Sequence, residues 1–382
     1  MTSIIAGAAS AAQGAMHDIA SIVTGKMEKN FDPSQLVVVS QAESHFSAHA
    51  IGMLLKHHAK VRAVANDESG ANMIRKAFSG MPEATSRLEV IVCSNMCDDD
   101  ACHKVLHDAV YLIHPVAMNP NHFKGNAEED MLKPSIDGTK CMLRRAQQAG
   151  TVKKVCIISN CYALGDVMKT SGHVYNQDSW LSITREDAAK ITDVHELFQA
   201  CNALAEKSAW DFVHSIPDKP PFEMVALLPS YVVGPEVIPV GARGPNKMIC
   251  HALSGKECCP IADMGFVDAR DVAHAACICL QSSEAKMKRY ILTAGYYTYA
   301  DMIQWARDIA GIAPSEQVKA EKHKEKPNKY DTGPTEKDLA IKYTPIEKSV
   351  TEMLAQCALN VSSQTQGGDQ GEFAGSRSHA SA

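Results

Sequence analysis

The chain has 382 residues, of which 45% are hydrophobic and 21% charged; these are the proportions of an ordinary globular protein and exclude fibrous, collagenous and wholly disordered architectures. Its 38 Lys and Arg against 44 Asp and Glu leave a net charge of −6, the wrong sign for a protein that neutralises many nucleic-acid phosphates. No apolar run reaches the ~18 residues of a membrane span, so neither nucleic acid nor a bilayer interior is expected as a partner.

Residues 1–33 form an N-terminal extension rich in Ala, Gly and Ser. Ile5, Ala8, Ala12, Met16, Ile19 and Val23 recur in it at helical spacing, which predicts a weakly amphipathic helix ending near Gly25. No Lys or Arg precedes Lys26, so the segment lacks the basic start of a secretory signal and the Arg of a transit peptide. The 13 cysteines include no C-x-x-C, and no histidine pair completes a half-site, so the expectation is free buried thiols, no metal and a reducing cytoplasm.

From Gln35 the pattern alternates. Gln35–Ser40, Lys60–Ala65, Leu88–Cys93, Val110–His114, Val155–Ser159 and Met224–Pro229 are short apolar, β-branched runs. Helical stretches at Ala48–His58, Ala71–Phe78, Asp100–His107, Glu128–Ala149 and Asp193–Phe212 lie between them. Apolar strands separated by amphipathic helices predict an α/β fold, a Rossmann-like doubly wound parallel sheet over residues 34–235, with its ligand crevice at the carboxyl ends of the strands. A smaller substrate-side subdomain is expected over 236–360, with a charged, exposed stretch at Glu316–Lys342 and a closing helix at Ile346–Leu359. Residues 361–382, polar and rich in Gly and Ser, predict a disordered tail.

Five distinct segments follow one another along the chain: Met131–Thr139 (MLKPSIDGT), Val152–Ser159 (VKKVCIIS), Leu204–Phe212 (LAEKSAWDF), Leu228–Pro235 (LPSYVVGP) and Phe266–His274 (FVDARDVAH). Together they resemble the extended short-chain dehydrogenase/reductases, in the branch of dihydroflavonol reductase, cinnamoyl-CoA reductase and 3β-hydroxysteroid dehydrogenase. The resemblance runs from about Gln35 to Leu359. It implies NAD(P) as cofactor, oxidation or reduction of a carbonyl/alcohol pair by Ser, Tyr and Lys, and a homodimer formed through two helices, one of them carrying Phe198–Phe212.

The residues that should do this work have changed. The family's T-G-x-x-G-F-x-G loop reads Ser40-Gln41-Ala42-Glu43-Ser44-His45-Phe46-Ser47, so the glycines that let backbone N–H groups reach a pyrophosphate are replaced by Gln41, Ser44 and Ser47. Glu43 adds a negative charge beside the phosphate path. At the end of the second strand, where Arg selects NADP and an acid selects NAD, stand Asn66 and then Asp67. Ser94 replaces the Asp that holds the adenine. Pro229, Ser230 and Tyr231 fall at the strand end that borders the nicotinamide.

The family's Y-x-x-S-K appears as Phe198-Gln199-Ala200-Cys201-Asn202. Phenylalanine has no proton to give a developing alkoxide, and asparagine has no charge with which to lower a phenol's pKa. The carbonyl-polarising Ser falls on Asn160, while Ser159, one residue earlier, points to the other face of its strand. His195 and Glu196 lie off the helix face of 198 and 202 and read as an exposed surface. His57–His58 reads as a helix end and Trp180 as packing.

Three functions stay open for such a chain. One is a member that has lost catalysis and serves as a binding or scaffold module. A second is an active NAD(P)-dependent reductase or dehydrogenase of a carbonyl, flavonoid-like or steroid-like substrate with a rearranged site. The third is a structural subunit docked through the N-terminal helix. Calorimetry separates the first two: neither NADPH nor NADH should bind with a Kd below about 100 μM, about −5.5 kcal/mol, whereas a low-micromolar Kd for either favours the second.

Overall fold

The computed structural model describes residues 30–167, 171–217, 220–238, 243–253, 264–308 and 326–366. The fold is organised by three consecutive valines in its first strand, β1 (Leu36–Val39). Side chains alternate across a strand, so Val37 and Val39 enter the core on one face of the sheet and Val38 enters the core on the other. The pattern repeats in β2 (Lys60–Ala65), weakens in the half-buried edge strand β3 (Leu88–Val92), and returns in β4 (Ala109–Pro115), β5 (Lys154–Ile158) and β6 (Glu223–Pro229). A seven-stranded parallel sheet results, completed after β7 (Tyr231–Val233) and β8 (Met264–Asp268) by β9 (Lys288–Leu292), in the order β9-β6-β5-β4-β1-β2-β3.

Helices cover both faces. On one lie α1 (His45–Lys56) and α2 (Glu68–Phe78); on the other lie α3 (Asp99–Leu106), α4 (Lys133–Ala149) and α5 (Val194–Ser215). A π-helical turn, Ala127–Leu132, leads into α4. Beyond β7, α6 (Gly244–Leu253) precedes β8, and α7 (Ala269–Gln281) packs against α1. A second sheet of three strands, β7, β8 and β10 (Gly295–Tyr297), shares a small core with α8 (Tyr299–Asp308) and α9 (Ile346–Gln366). Gly234, at φ +123, follows β7 where a Cβ would come 3.0 Å from the Asp268 carboxylate, so this turn has no room for a side chain.

The doubly wound α/β fold expected from the alternation is observed. Several details differ. The chain past residue 235 is not confined to the smaller layer, since α7 and β9 return to the main sheet. That strand begins Lys288-Arg289, and Arg289 is buried by an ion pair with Glu206 on α5, a pairing that hydrophobicity does not reveal. Residues 1–29 lie outside the described residues, but Phe31 belongs to the main core: it is 2% exposed, donates its N–H to His57 O and sets its ring edge-on to Tyr111. The closing helix runs on through 361–366, part of the segment expected to be disordered; 367–382 lie outside the described residues. Within the charged stretch, Thr335, Leu339 and Ile341 are buried.

The cysteines also depart from expectation. Six free thiols, Cys93, Cys156, Cys161, Cys201, Cys277 and Cys279, are buried as expected, but Cys97 and Cys141 form a disulfide. The loop after β3 lies against α4 and brings their Cα atoms to 5.3 Å, within bridging range; a separation of 44 residues gives no sequence signal. The His57–His58 pair does end α1, with His58 in the left-handed region at φ +66.

Two fully buried imidazoles tie the sheet to its helices. His49 on α1 donates Nε2–H to Pro235 O at 2.9 Å, and His114 on β4 lies between Ser40 Oγ at 2.7 Å and Thr139 Oγ1 at 3.1 Å. Burial lowers both to about 4 from the usual 6.5. The unfolded chain therefore binds two protons that the folded chain refuses, and stability should fall as pH drops from about 6.5 toward 4, by about 3 kcal/mol per ring over the full range. Asp271, raised to about 6 by burial, opposes this, because its folded carboxyl takes a proton before the unfolded one does. Thermal melts should show Tm falling between pH 7 and 5, and the double variant His49→Gln/His114→Gln should flatten or invert that slope; an unchanged slope contradicts the assignment.

Candidate functional site

All seven parallel strands end at one edge, and the loops leaving that edge place the residues singled out in the sequence. The first of these loops joins β1 to α1. Gln41 takes φ +44, the left-handed backbone that a glycine adopts without cost. Its side chain turns aside: Nε2 donates to Pro115 O at 2.9 Å and Ala117 O at 3.3 Å. Ser44 precedes α1 at φ −70 without a side-chain cap, and its hydroxyl donates to Ser47 Oγ at 2.7 Å; Ser47, fully buried, donates to Ser40 O. Of the three glycine positions only the first takes a positive φ, so Ser44 and Ser47 carry no left-handed strain.

Glu43 reaches from this loop to the end of β2. Its Oε1 accepts the Asn66 N–H at 3.3 Å, its Oε2 is buried without a hydrogen-bond partner, and burial pushes its carboxyl above the usual range. Arg243, just ahead of α6, donates to Glu43 O at 2.8 Å and pairs with the buried Glu236 at 2.8 Å. Asp67 is not turned toward a ribose: it caps α2 by accepting the Gly70 N–H at 2.7 Å. Ser94 is exposed beyond β3. At the end of β2 the Glu43 carboxylate is the charge that meets the Asn66 N–H, an acceptor that fits a ribose hydroxyl better than it fits a 2′-phosphate.

The catalytic positions gather at the ends of β5 and β6. Asn160 follows β5 and spends its Oδ1 as a cap, accepting the Tyr162 N–H at 3.0 Å. Tyr162 meets the Phe198 ring edge-on at 6.5 Å, and its hydroxyl donates to that of Tyr231 at the start of β7. Phe198 and Asn202 share one face of α5, with Asn202 buried and its Nδ2 donating to Phe198 O at 2.8 Å. Pro229 ends β6, buried. His195 and Glu196 are exposed on the first turn of α5, their N–H groups held by Asp193.

Ser159 faces the other way, as its position in the strand requires. Its hydroxyl donates to Glu206 Oε2 at 2.7 Å. Arg289 Nε donates to Glu206 Oε1 at 2.6 Å, Trp210 Nε1 donates to the same oxygen at 3.2 Å, and the guanidinium lies 3.6 Å over the ring of Trp180. Trp180, expected to be packing, is 38% exposed and covers the Arg289 guanidinium with one face of its ring. The sequence reading missed Tyr162, Arg243 and this buried charge network; Tyr162 could have been found by its place two residues after Asn160, whereas nothing in sequence links Arg243 to a loop 200 residues earlier.

Among the described residues no group of three or more His, Cys, Asp or Glu is placed to hold a metal ion, and no helix is long and apolar enough to cross a membrane.

No family model matches the chain. It is 26% identical over 340 residues to a putative uncharacterized oxidoreductase of Saccharomyces cerevisiae, covering 85% of this chain and 97% of that one. It is 27% identical over 280 residues to that yeast's NADPH-dependent methylglyoxal reductase, covering 70% and 80%. It is 24% identical to a cinnamoyl-CoA reductase of Medicago truncatula, covering 83% and 94%. Among solved structures, the yeast methylglyoxal/isovaleraldehyde reductase complexed with NADPH superposes with a TM-score of 0.76 at 23% identity, over 86% of this chain and all of that one. The chain's sequence relatives and structural neighbours are thus extended short-chain dehydrogenase/reductase-family reductases, consistent with the branch of dihydroflavonol reductase and cinnamoyl-CoA reductase.

Proposed function

We propose that this NAD(P)-dependent oxidoreductase-family protein has lost hydride-transfer catalysis and works as a binding or scaffold module. The observation that carries the reading is the α5 face. The positions that should hold a phenol and its tuning cation are Phe198 and Asn202, and Asn202 spends its amide on its own helix backbone. Losing a general acid costs ~10²–10⁴ in rate. Asn160, consumed as a cap, supplies no compensating acid. Most of the LAEKSAW segment of α5 is buried in the chain's own core, but Phe198, Leu204 and Phe212 on the same helix are only partly buried, which together with the resemblance supports a homodimer through α5; a monomer mass by light scattering at tens of micromolar would exclude that assembly.

One observation favours the alternative of an active reductase with a rearranged site. Tyr162 and Tyr231 form a hydrogen-bonded phenol pair beside Phe198, so a displaced acid is sterically available. Activity abolished by Tyr162→Phe would support it.

Repair of the site tests the main reading. Phe198→Tyr with Asn202→Lys and Asn160→Ser returns the proton donor, its cation and the carbonyl donor. Hydride transfer still needs a nicotinamide held about 3–3.5 Å from the carbon it attacks, so this triple variant should stay at background on an aldehyde and ketone panel with NADH or NADPH. Adding Gln41→Gly, Ser44→Gly and Ser47→Gly should raise turnover above background. Gln41→Gly relieves a left-handed backbone costing about 1 kcal/mol but removes two bonds to carbonyls, so circular dichroism should confirm folding first. If the triple variant alone turns over, the nucleotide cradle still works.

A further inference from the structure

We infer that Glu43 turns this groove away from 2′-phosphorylated dinucleotides and leaves it selective for a ribose with free hydroxyls. The inference goes beyond the loss of hydride transfer and concerns binding alone. In a parallel α/β sheet the residue at the end of the second strand meets the adenosine ribose: an acid there accepts from the 2′-hydroxyl, and an Arg there takes the 2′-phosphate. Here Asn66 stands at that end, and its N–H is already held by a carboxylate delivered from the β1–α1 loop.

The geometry of that carboxylate is specific. Glu43 Cδ and Oε1 come within 3.5 Å of where a Cβ on Gly70 would sit, so the side chain lies over the first turn of α2. Oε1 is engaged by Asn66, and Oε2 is buried with no partner. A buried acceptor without a donor is costly, and a ribose hydroxyl can supply the missing hydrogen. A phosphate cannot: it brings only acceptors and a like charge, which costs affinity strongly at a partly desolvated site.

Neighbouring charges do not reverse this. Asp67 adds a second carboxylate, and its charge raises the Glu43 carboxyl further. His122 acts in the opposite sense on Glu43. Arg243 reaches the loop, but only to Glu43 O, with its other arm paired to Glu236. The relative named for NADPH dependence and this chain therefore differ in what the groove admits.

The test is a titration of the full chain, followed by ligand-observed NMR, with NADH against NADPH and with 5′-AMP against adenosine 2′,5′-bisphosphate. The second pair isolates the 2′-phosphate from the nicotinamide end. Each unphosphorylated ligand should bind at least tenfold tighter than its 2′-phosphorylated partner. Glu43→Gln keeps an oxygen for the Asn66 N–H and removes the charge, so it should shrink both ratios below threefold with Tm unchanged. Equal affinities, tighter binding of the 2′-phosphates, or no binding of NADH and 5′-AMP would overturn the inference. Turnover with NADH alone would overturn the loss of catalysis and leave this inference standing; equal affinities with no turnover would do the reverse.

Discussion

The ion pair between Glu206 and Arg289 joins the helix that carries the catalytic positions to the last strand of the sheet. Both side chains are buried, Glu206 completely. Such a pair is strongly destabilising to break, by about 3–5 kcal/mol for loss of one partner, because the survivor is left as an uncompensated charge. Here the surviving bonds are many: Ser159, Trp210, two backbone carbonyls and the Trp180 ring all take part. The motif around α5 thus separates into two parts. Glu206 and the small residues beside it hold the fold together, while Phe198 packs half-buried against Tyr162 and Asn202 bonds its own helix, both outside that charge network.

The same separation runs through the nucleotide loop. The turn at Gln41 keeps the left-handed backbone that the β1–α1 connection needs, and it is held by bonds to the β4 loop rather than by absence of a side chain. Ser44 and Ser47 satisfy one another. Each replacement is satisfied within the fold. The architecture is preserved by interactions that do not involve a ligand.

How much of this the sequence displays depends on the range of the interaction. Val37 to Val39, the β5 run and the helices between them follow from periodicity, because burial on both faces of a parallel sheet leaves an apolar signature. The strand at Lys288–Leu292 does not, since its first two residues are cations and Arg289 is neutralised 83 positions away. Phe31, in a segment that reads as an extension, and the Cys97–Cys141 bridge share that difficulty. At the site, the substitutions at 41, 44, 47, 160, 198 and 202 were legible because the surrounding motifs fix the alignment. The role of Asp67 as a helix cap and the turn of Glu43 toward Asn66 were not, since both depend on where a side chain points rather than on what it is.

The account rests on the absence of a working proton donor and hydride seat in the intact chain. It is tested most directly by following nicotinamide absorbance while the wild-type protein is supplied with NADH or NADPH and a broad panel of aldehydes and ketones. The account predicts no consumption of either cofactor above the protein-free rate. Sustained multiple turnovers on any member of the panel would contradict it.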